Sequence, residues 1–245
     1  MTDKYLTLSY WSVSKNITYS LLFIFPMLFL YESMCLLQFM ESTFSIRNGA
    51  DVLIRQFFGY FGIYSELFYC MTLMVIFIII IYVKRKVLKR NGLQIRFLLC
   101  MLIESIIWCG CFIIIMGALG NFLLFALGRH IILEQLYLAI GAGIWEELLF
   151  RVAFIGIMVY ILRNIIRYSQ LFSTLIAIII GAFLFSYFHY IGEFGDLFTY
   201  RSFALWSIAG VFLGSLYIFR GFGITAYTHI FYDMAIISIP ILFKS

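Results

Sequence analysis

The sequence predicts an all-α protein, a polytopic transmembrane helix bundle of about seven to eight spans. Three observations predict it. Of 245 residues, 64% are hydrophobic and 12% are charged, and mean hydropathy is +1.04. A soluble domain is about half apolar and about a quarter charged. Only two prolines interrupt long runs of Ile, Leu and Phe. Stretches such as Met71 to Val83 also lack the short alternating pattern of a membrane barrel strand. The length suits one integrated membrane domain. It divides into N-terminal spans and loops (residues 1–130) and a C-terminal helix bundle (131–245) that carries the polar motifs.

Taken in order, a short polar segment with Lys4 and Lys15 precedes a first span from Ile17 to Met40, broken mildly by Pro26. The first apolar run has no small-residue cleavage site close behind it, so it reads as a retained span. Glu41 to Tyr64 is mixed, with Arg47, Asp51 and Arg55, and reads as a loop with an interfacial helix. Leu67 to Val83 is the second span. Lys84, Arg85, Lys86, Lys89, Arg90 and Arg96 then form the densest positive cluster. A third span lies within Phe97 to Leu127. Ile131 to Leu162 is helical throughout but too long for one crossing, about 48 Å against a core of about 30 Å. Counting back from Arg163 puts its outer boundary near Gly143. Leu171 to Tyr190, Ser202 to Phe219 and Phe222 to Phe243 complete the set.

Short basic loops stay on the cytoplasmic side. That rule places the N-terminus, the Lys84–Arg96 loop, Arg163, Arg167 and Arg220 inside, and the Glu193/Asp196 turn outside. The net charge of +5 is therefore orientation chemistry and does not indicate nucleic acid. Cys35, Cys70, Cys100, Cys109 and Cys111 form no CxxC and read as small apolar filler. Gly210 and Gly214 form a small-xxx-small pattern, which lets membrane helices approach closely.

Ionisable residues inside such helices cost on the order of 3 kcal/mol each even on the lenient scale, and by default mark a functional site. The outstanding case is Gly143-Ile-Trp-Glu146-Glu147-Leu-Leu-Phe-Arg151. Glu147 and Arg151 are spaced i, i+4 in the order that favours an ion pair. Glu146 projects about 100° away on an α-helix, so one carboxylate can be neutralised while the other faces a cavity. Two of the three histidines also fall in C-terminal spans, in Phe185-Ser-Tyr-Phe-His189 and His229-Ile-Phe-Tyr-Asp233. Glu146, His189, His229 and Asp233 form a set able to activate water or to bind a divalent metal, if three helices converge. Glu32 and Glu104 read as supporting or interfacial acids, and His130 as an exposed boundary residue.

These motifs, in this order on successive helices, resemble the CAAX-prenyl protease and bacteriocin-processing family, also called the Abi family, of glutamic-type intramembrane endopeptidases. The resemblance covers roughly Gly141 to the C-terminus. It implies that Glu146 is the general base for the hydrolytic water and that His189 binds and orients that water. It further implies that His229 and Asp233 stabilise the oxyanion, with Glu147 and Arg151 in support. The last motif often ends in Asn. Asp233 replaces it here, and an ionised Asp cannot donate to an oxyanion, so its role stays open between a protonated donor, an orienting partner of His229 and a metal ligand. No cofactor is required by this reading. Zinc on Glu146, His189, His229 and Asp233 is the metal-dependent version.

The expected activity is hydrolysis of a peptide bond near the terminus of a membrane-anchored substrate: an exported-protein sorting tail, a leader peptide or a CAAX-like tail. The expected setting is a prokaryotic inner membrane, with the N-terminus cytoplasmic and the site towards the outer face. The competing reading is a non-catalytic immunity or scaffold protein that binds a peptide or partner. A transporter fits less well, because the acids do not line a pathway and no paired broken helices appear.

Overall fold

The structure, a computed structural model, describes residues 9–42, 45–119, 132–192 and 195–242. His130 and Glu193 lie outside the described residues. Among them the chain is helical with no strand. The elements are α1 (Tyr10–Ser14), α2 (Ile17–Ser42), α3 (Gly49–Gly59), α4 (Glu66–Lys84), α5 (Lys86–Asn91), α6 (Ile95–Leu119) and α7 (Ile132–Gly141). A π-helix, π1 (Ala142–Ile155), continues α7 and is followed by α8 (Gly156–Tyr160) and a second π-turn, π2 (Ile161–Ile165). The chain ends in α9 (Gln170–Phe188), α10 (Tyr200–Arg220) and α11 (Phe222–Leu242). Six helical segments of the described chain are long and apolar enough to cross a membrane, and α11 packs among them. The protein is an integral membrane protein.

Two expectations change here. Pro26 does not break the first span: α2 runs through it. The overlong stretch from Ile131 is not one regular α-helix. Its π segments close hydrogen bonds from i to i+5, and that wider winding advances less per residue. Leu133–Ile165 can thus hold 33 residues in less height than an α-helix would need.

The central helix is α11, which packs against α2, α6, α7, α10 and π1. Tyr227 stacks on Phe23 of α2 at 4.1 Å. On the other side, Phe112 of α6 stacks on Phe212 of α10 at 4.6 Å. The small-xxx-small pair serves close packing. A Cβ on Gly210 would come within 2.7 Å of Ala182 Cα in α9, and one on Gly214 within 3.3 Å of Ile178.

The bundle has two distinct ends. At one, Thr18 Oγ1 donates to the Lys84 carbonyl at 2.9 Å and Tyr19 Oη to the Gly92 carbonyl at 2.6 Å. The α10–α11 turn at Gly221 (φ +83°) lies against the Lys15 backbone there too. Arg220 forms an ion pair with Glu104 of α6, which also accepts from Tyr10 and Trp108. Glu104, inside α6, therefore ties the start of α1 and the end of α10 to that helix, apart from the polar motifs. At the opposite end, Tyr137 donates to the Ile46 carbonyl at 3.1 Å, and Gly49 at the start of α3 faces Phe188.

Candidate active site

The Glu146–Glu147 pair lies on π1, and its environment depends on Gly143. A Cβ there would stand 2.8 Å from the Ala226 carbonyl oxygen and 2.9 Å from the Ile230 nitrogen. Glycine thus lets π1 close on the backbone of α11, on both sides of His229. As a result, Nδ1 of His229 lies 2.8 Å from Oε1 of Glu147. An ionised carboxylate only accepts, so Nδ1 carries the proton and donates. The other ring nitrogen, Nε2, faces Asp233 Oδ2 at 3.5 Å.

Glu147 is fully buried. Its second oxygen forms an ion pair with Arg151 Nε at 3.1 Å, the i, i+4 pairing read from the sequence. The Arg151 guanidinium is also buried, with its carbon 4.3 Å from the centre of the Phe185 ring. A cation over an aromatic face gains electrostatic attraction when desolvated. Its two terminal nitrogens find no hydrogen-bond acceptor among the described residues. The direct carboxylate partner of His229 is therefore Glu147, where the sequence had suggested Glu146.

Glu146 has a different neighbourhood. Its side chain is buried but keeps slight exposure, at 7% for the residue. Its Oε1 accepts from Nδ2 of Asn48 at 2.9 Å, a neutral donor 98 residues earlier. It lies close enough to His229 and Asp233 to interact electrostatically with both.

His189 caps the C-terminus of α9. Its Nδ1 is 2.8 Å from the Phe185 carbonyl. A carbonyl only accepts, so Nδ1–H donates and Nε2 is left as the acceptor. The ring stacks on Trp206 of α10 at 4.2 Å. The Phe185 ring centre lies 4.8 Å from the His189 ring and 6.1 Å from the His229 ring. His189 is thus a neighbour of the Glu147–His229–Asp233 group, joined to it through Phe185 rather than by a hydrogen bond. Asp233 is the most open member of that group, its side chain 22% exposed.

Asn48 was invisible in the sequence because it sits in the segment that reads as a loop. So was the cluster that supports it. Arg47 contacts Glu32 at 2.8 Å, Asp51 at 2.5 Å and Glu66 at 2.5 Å, and all four side chains are 8% exposed or less. Arg55 adds a second cation on Glu66. Tyr31 and Tyr69 donate to Asp51 at 2.8 and 2.5 Å. Burial disfavours the Arg47 charge, but Asp51 and Glu32 outweigh it, so the guanidinium is held still more firmly protonated than usual. Cys70, read as apolar filler, donates its thiol to Glu32 at 3.1 Å. Glu32 belongs to this cluster rather than to the polar motifs.

Among the described residues no three His, Cys, Asp or Glu side chains are placed to hold a metal ion together. The Nδ1 atoms of both histidines are already engaged.

Residues 128–235 match the model of the type II CAAX prenyl endopeptidase Rce1-like family, the grouping to which the three motifs point. The matched segment includes every motif residue from Glu146 to Asp233 and leaves out Asn48 and the Arg47 cluster. No curated protein and no solved structure matches the chain. With the apolar helices, the family match supports a membrane-embedded protease.

Proposed function

We propose that this protein is an intramembrane endopeptidase in which Glu146 activates the attacking water. One observation carries the choice of Glu146 over its neighbour. Glu147 is committed to a cation and an imidazole, Arg151 and His229, whereas Glu146 accepts from a neutral amide and keeps some access. A carboxylate with no cation in direct contact remains available to take a proton.

In this reading a water donates a proton to Glu146 as its oxygen attacks the scissile carbonyl carbon. The His189 Nε2 lone pair accepts the water's second O–H and aims the oxygen. The developing oxyanion is met from α11. For Nε2 of His229 to donate while Nδ1 donates to Glu147, the ring must carry both protons. Glu147 and Asp233, on its two sides, supply the balancing negative charge. Asp233 then acts as an orienting partner of His229. Donors preorganised at an oxyanion contribute about 3–4 kcal/mol each. The C–N bond breaks as Glu146 returns its proton to the leaving amine. No step runs through a metal.

The substrate class is a membrane-anchored peptide or protein, with cleavage near its terminus. Glu146, against Asn48, and His189, at the end of α9, lie towards the bundle end opposite the basic Lys84–Arg96 loop, with His229 deeper in the bundle. If that loop is cytoplasmic, as is the N-terminus, the site opens towards the outer face of a prokaryotic cell membrane. This favours exported tails and leader peptides over a cytoplasmic CAAX tail.

The test is cleavage of three quenched reporters by reconstituted protein: a prenylated CAAX-type peptide, a leader peptide and a C-terminal sorting tail. Wild type is expected to cut at least one, and Glu146→Gln none while remaining folded. Full cleavage by Glu146→Gln would overturn the reading. A cellular phenotype that survives loss of Glu146, His189 and His229 would favour a binding or scaffold role.

A further inference from the structure

The hydrogen bond from Asn48 to Glu146 is fixed at both ends. Asn48 is the N-cap of α3, and its Oδ1 accepts from the Ala50 N–H at 2.9 Å. An amide turned the other way would oppose donor to donor at Ala50 and acceptor to acceptor at Glu146. The nitrogen must therefore face the carboxylate. The cap itself is anchored: the Asn48 N–H donates to Tyr31 Oη at 3.1 Å, and Tyr31 donates on to Asp51. Asp51 in turn pairs with Arg47 inside the buried cluster that joins α2, α3 and α4.

We infer that Asn48 is a positioning residue for the catalytic carboxylate: its amide holds Oε1 of Glu146 so that Oε2 is the oxygen presented to water. The inference rests on the assignment of Glu146 made above. A neutral donor suits the task. A guanidinium at the same place would hold the carboxylate equally well but would neutralise the base, as Arg151 does for Glu147. The N-terminal region, outside the segment that matches the family, thereby supplies part of the reactive geometry. The Arg47 cluster is the rigid mount that keeps the amide in place.

The experiment uses full-length protein in liposomes and the reporter peptide that wild type cleaves. Asn48→Ser keeps an oxygen to cap α3 and removes the donor to Glu146. It is expected to lower kcat by about tenfold or more, since small misplacements of a reacting group cost up to about a hundredfold. KM is expected to stay within about twofold and the melting temperature close to wild type. Asn48→Asp also keeps the cap but cannot donate, and is expected to be no more active than Asn48→Ser.

A kcat for Asn48→Ser close to wild type, with Glu146→Gln inactive, overturns the inference while leaving the role of Glu146 standing. If Asn48→Ser loses both stability and rate, Asn48→Asp decides. Restored melting without restored kcat supports positioning, and restoration of both shows that Asn48 is only a cap. If Glu146→Gln is fully active, both readings fall.

Discussion

His229 Nδ1 and Glu147 Oε1 lie 2.8 Å apart, which links α11 to π1 through one imidazole. The same carboxylate balances Arg151 on its own helix. Glu147 therefore has two duties, charge compensation and histidine orientation, through direct contacts that Glu146 does not make. Glu147→Gln is expected to lower both stability and turnover. Removing one member of a buried ion pair costs about 3–5 kcal/mol. Glu146→Gln is expected to remove turnover with little change in melting. Thermal unfolding in detergent beside reporter cleavage checks the split, and equal melting of the two variants would contradict it.

Gly143 sets how closely the two helices approach. Gly143→Ala is expected to push α11 from π1, because its Cβ would stand 2.8 Å from a backbone oxygen that cannot move alone. Overpacking of this kind costs about 1–3 kcal/mol, and parting Glu147 from His229 should reduce cleavage by about tenfold or more. Gly156→Ala is the control. Nothing lies within 4 Å of its Cβ position, and alanine is favoured over glycine in a helix by about 0.5–1 kcal/mol. Melting temperatures and kcat of the two variants, compared side by side, check the argument.

Arg47 is the keystone of the N-terminal charge cluster. Arg47→Met would leave Glu32, Asp51 and Glu66 buried, with Arg55 on Glu66 as the remaining cation paired with them among the described residues. The expected loss is about 3–5 kcal/mol or more, seen as aggregation or an early elution shift by size-exclusion chromatography. Glu32→Gln should be milder, because Arg47 keeps Asp51 and Glu66. A monodisperse Arg47→Met protein with wild-type melting would show that the cluster does not hold the fold.

Chelation separates the two hydrolytic chemistries directly. Cleavage is expected to survive dialysis against EDTA and 1,10-phenanthroline, because no three donor side chains are placed to hold a metal ion together among the described residues. Loss of cleavage on chelation, restored by zinc, would return the reaction to a metal.

Composition alone was enough to read the helical membrane bundle, and residue spacing alone the Glu147–Arg151 pair, because both are local properties. The basic loop, Lys15 and Arg220 were placed on one side by charge, and in the bundle they share one end. Long-range geometry was not legible. Asn48 meets Glu146 across 98 residues, and no period or motif marks an asparagine in a mixed loop. Glu32, Arg47, Asp51 and Glu66 look like scattered interface charges until the fold buries them together. The partner of His229 was misjudged for a related reason. Which carboxylate it meets depends on the winding of π1 and on the gap left by Gly143, and hydropathy carries neither.

The register of π1 against Asn48 and His229 makes this protein sensitive to chain length at one place. Removing a single residue between Gly143 and Glu146 would barely alter composition, and a hydropathy plot would scarcely change. Yet the carboxylates would swing by about a quarter turn or more, and Glu147 would leave His229 while Glu146 left Asn48. Indels here should behave as site mutations, whereas indels of the same size past Ile165, beyond the last π-turn, should be absorbed by the connection to α9.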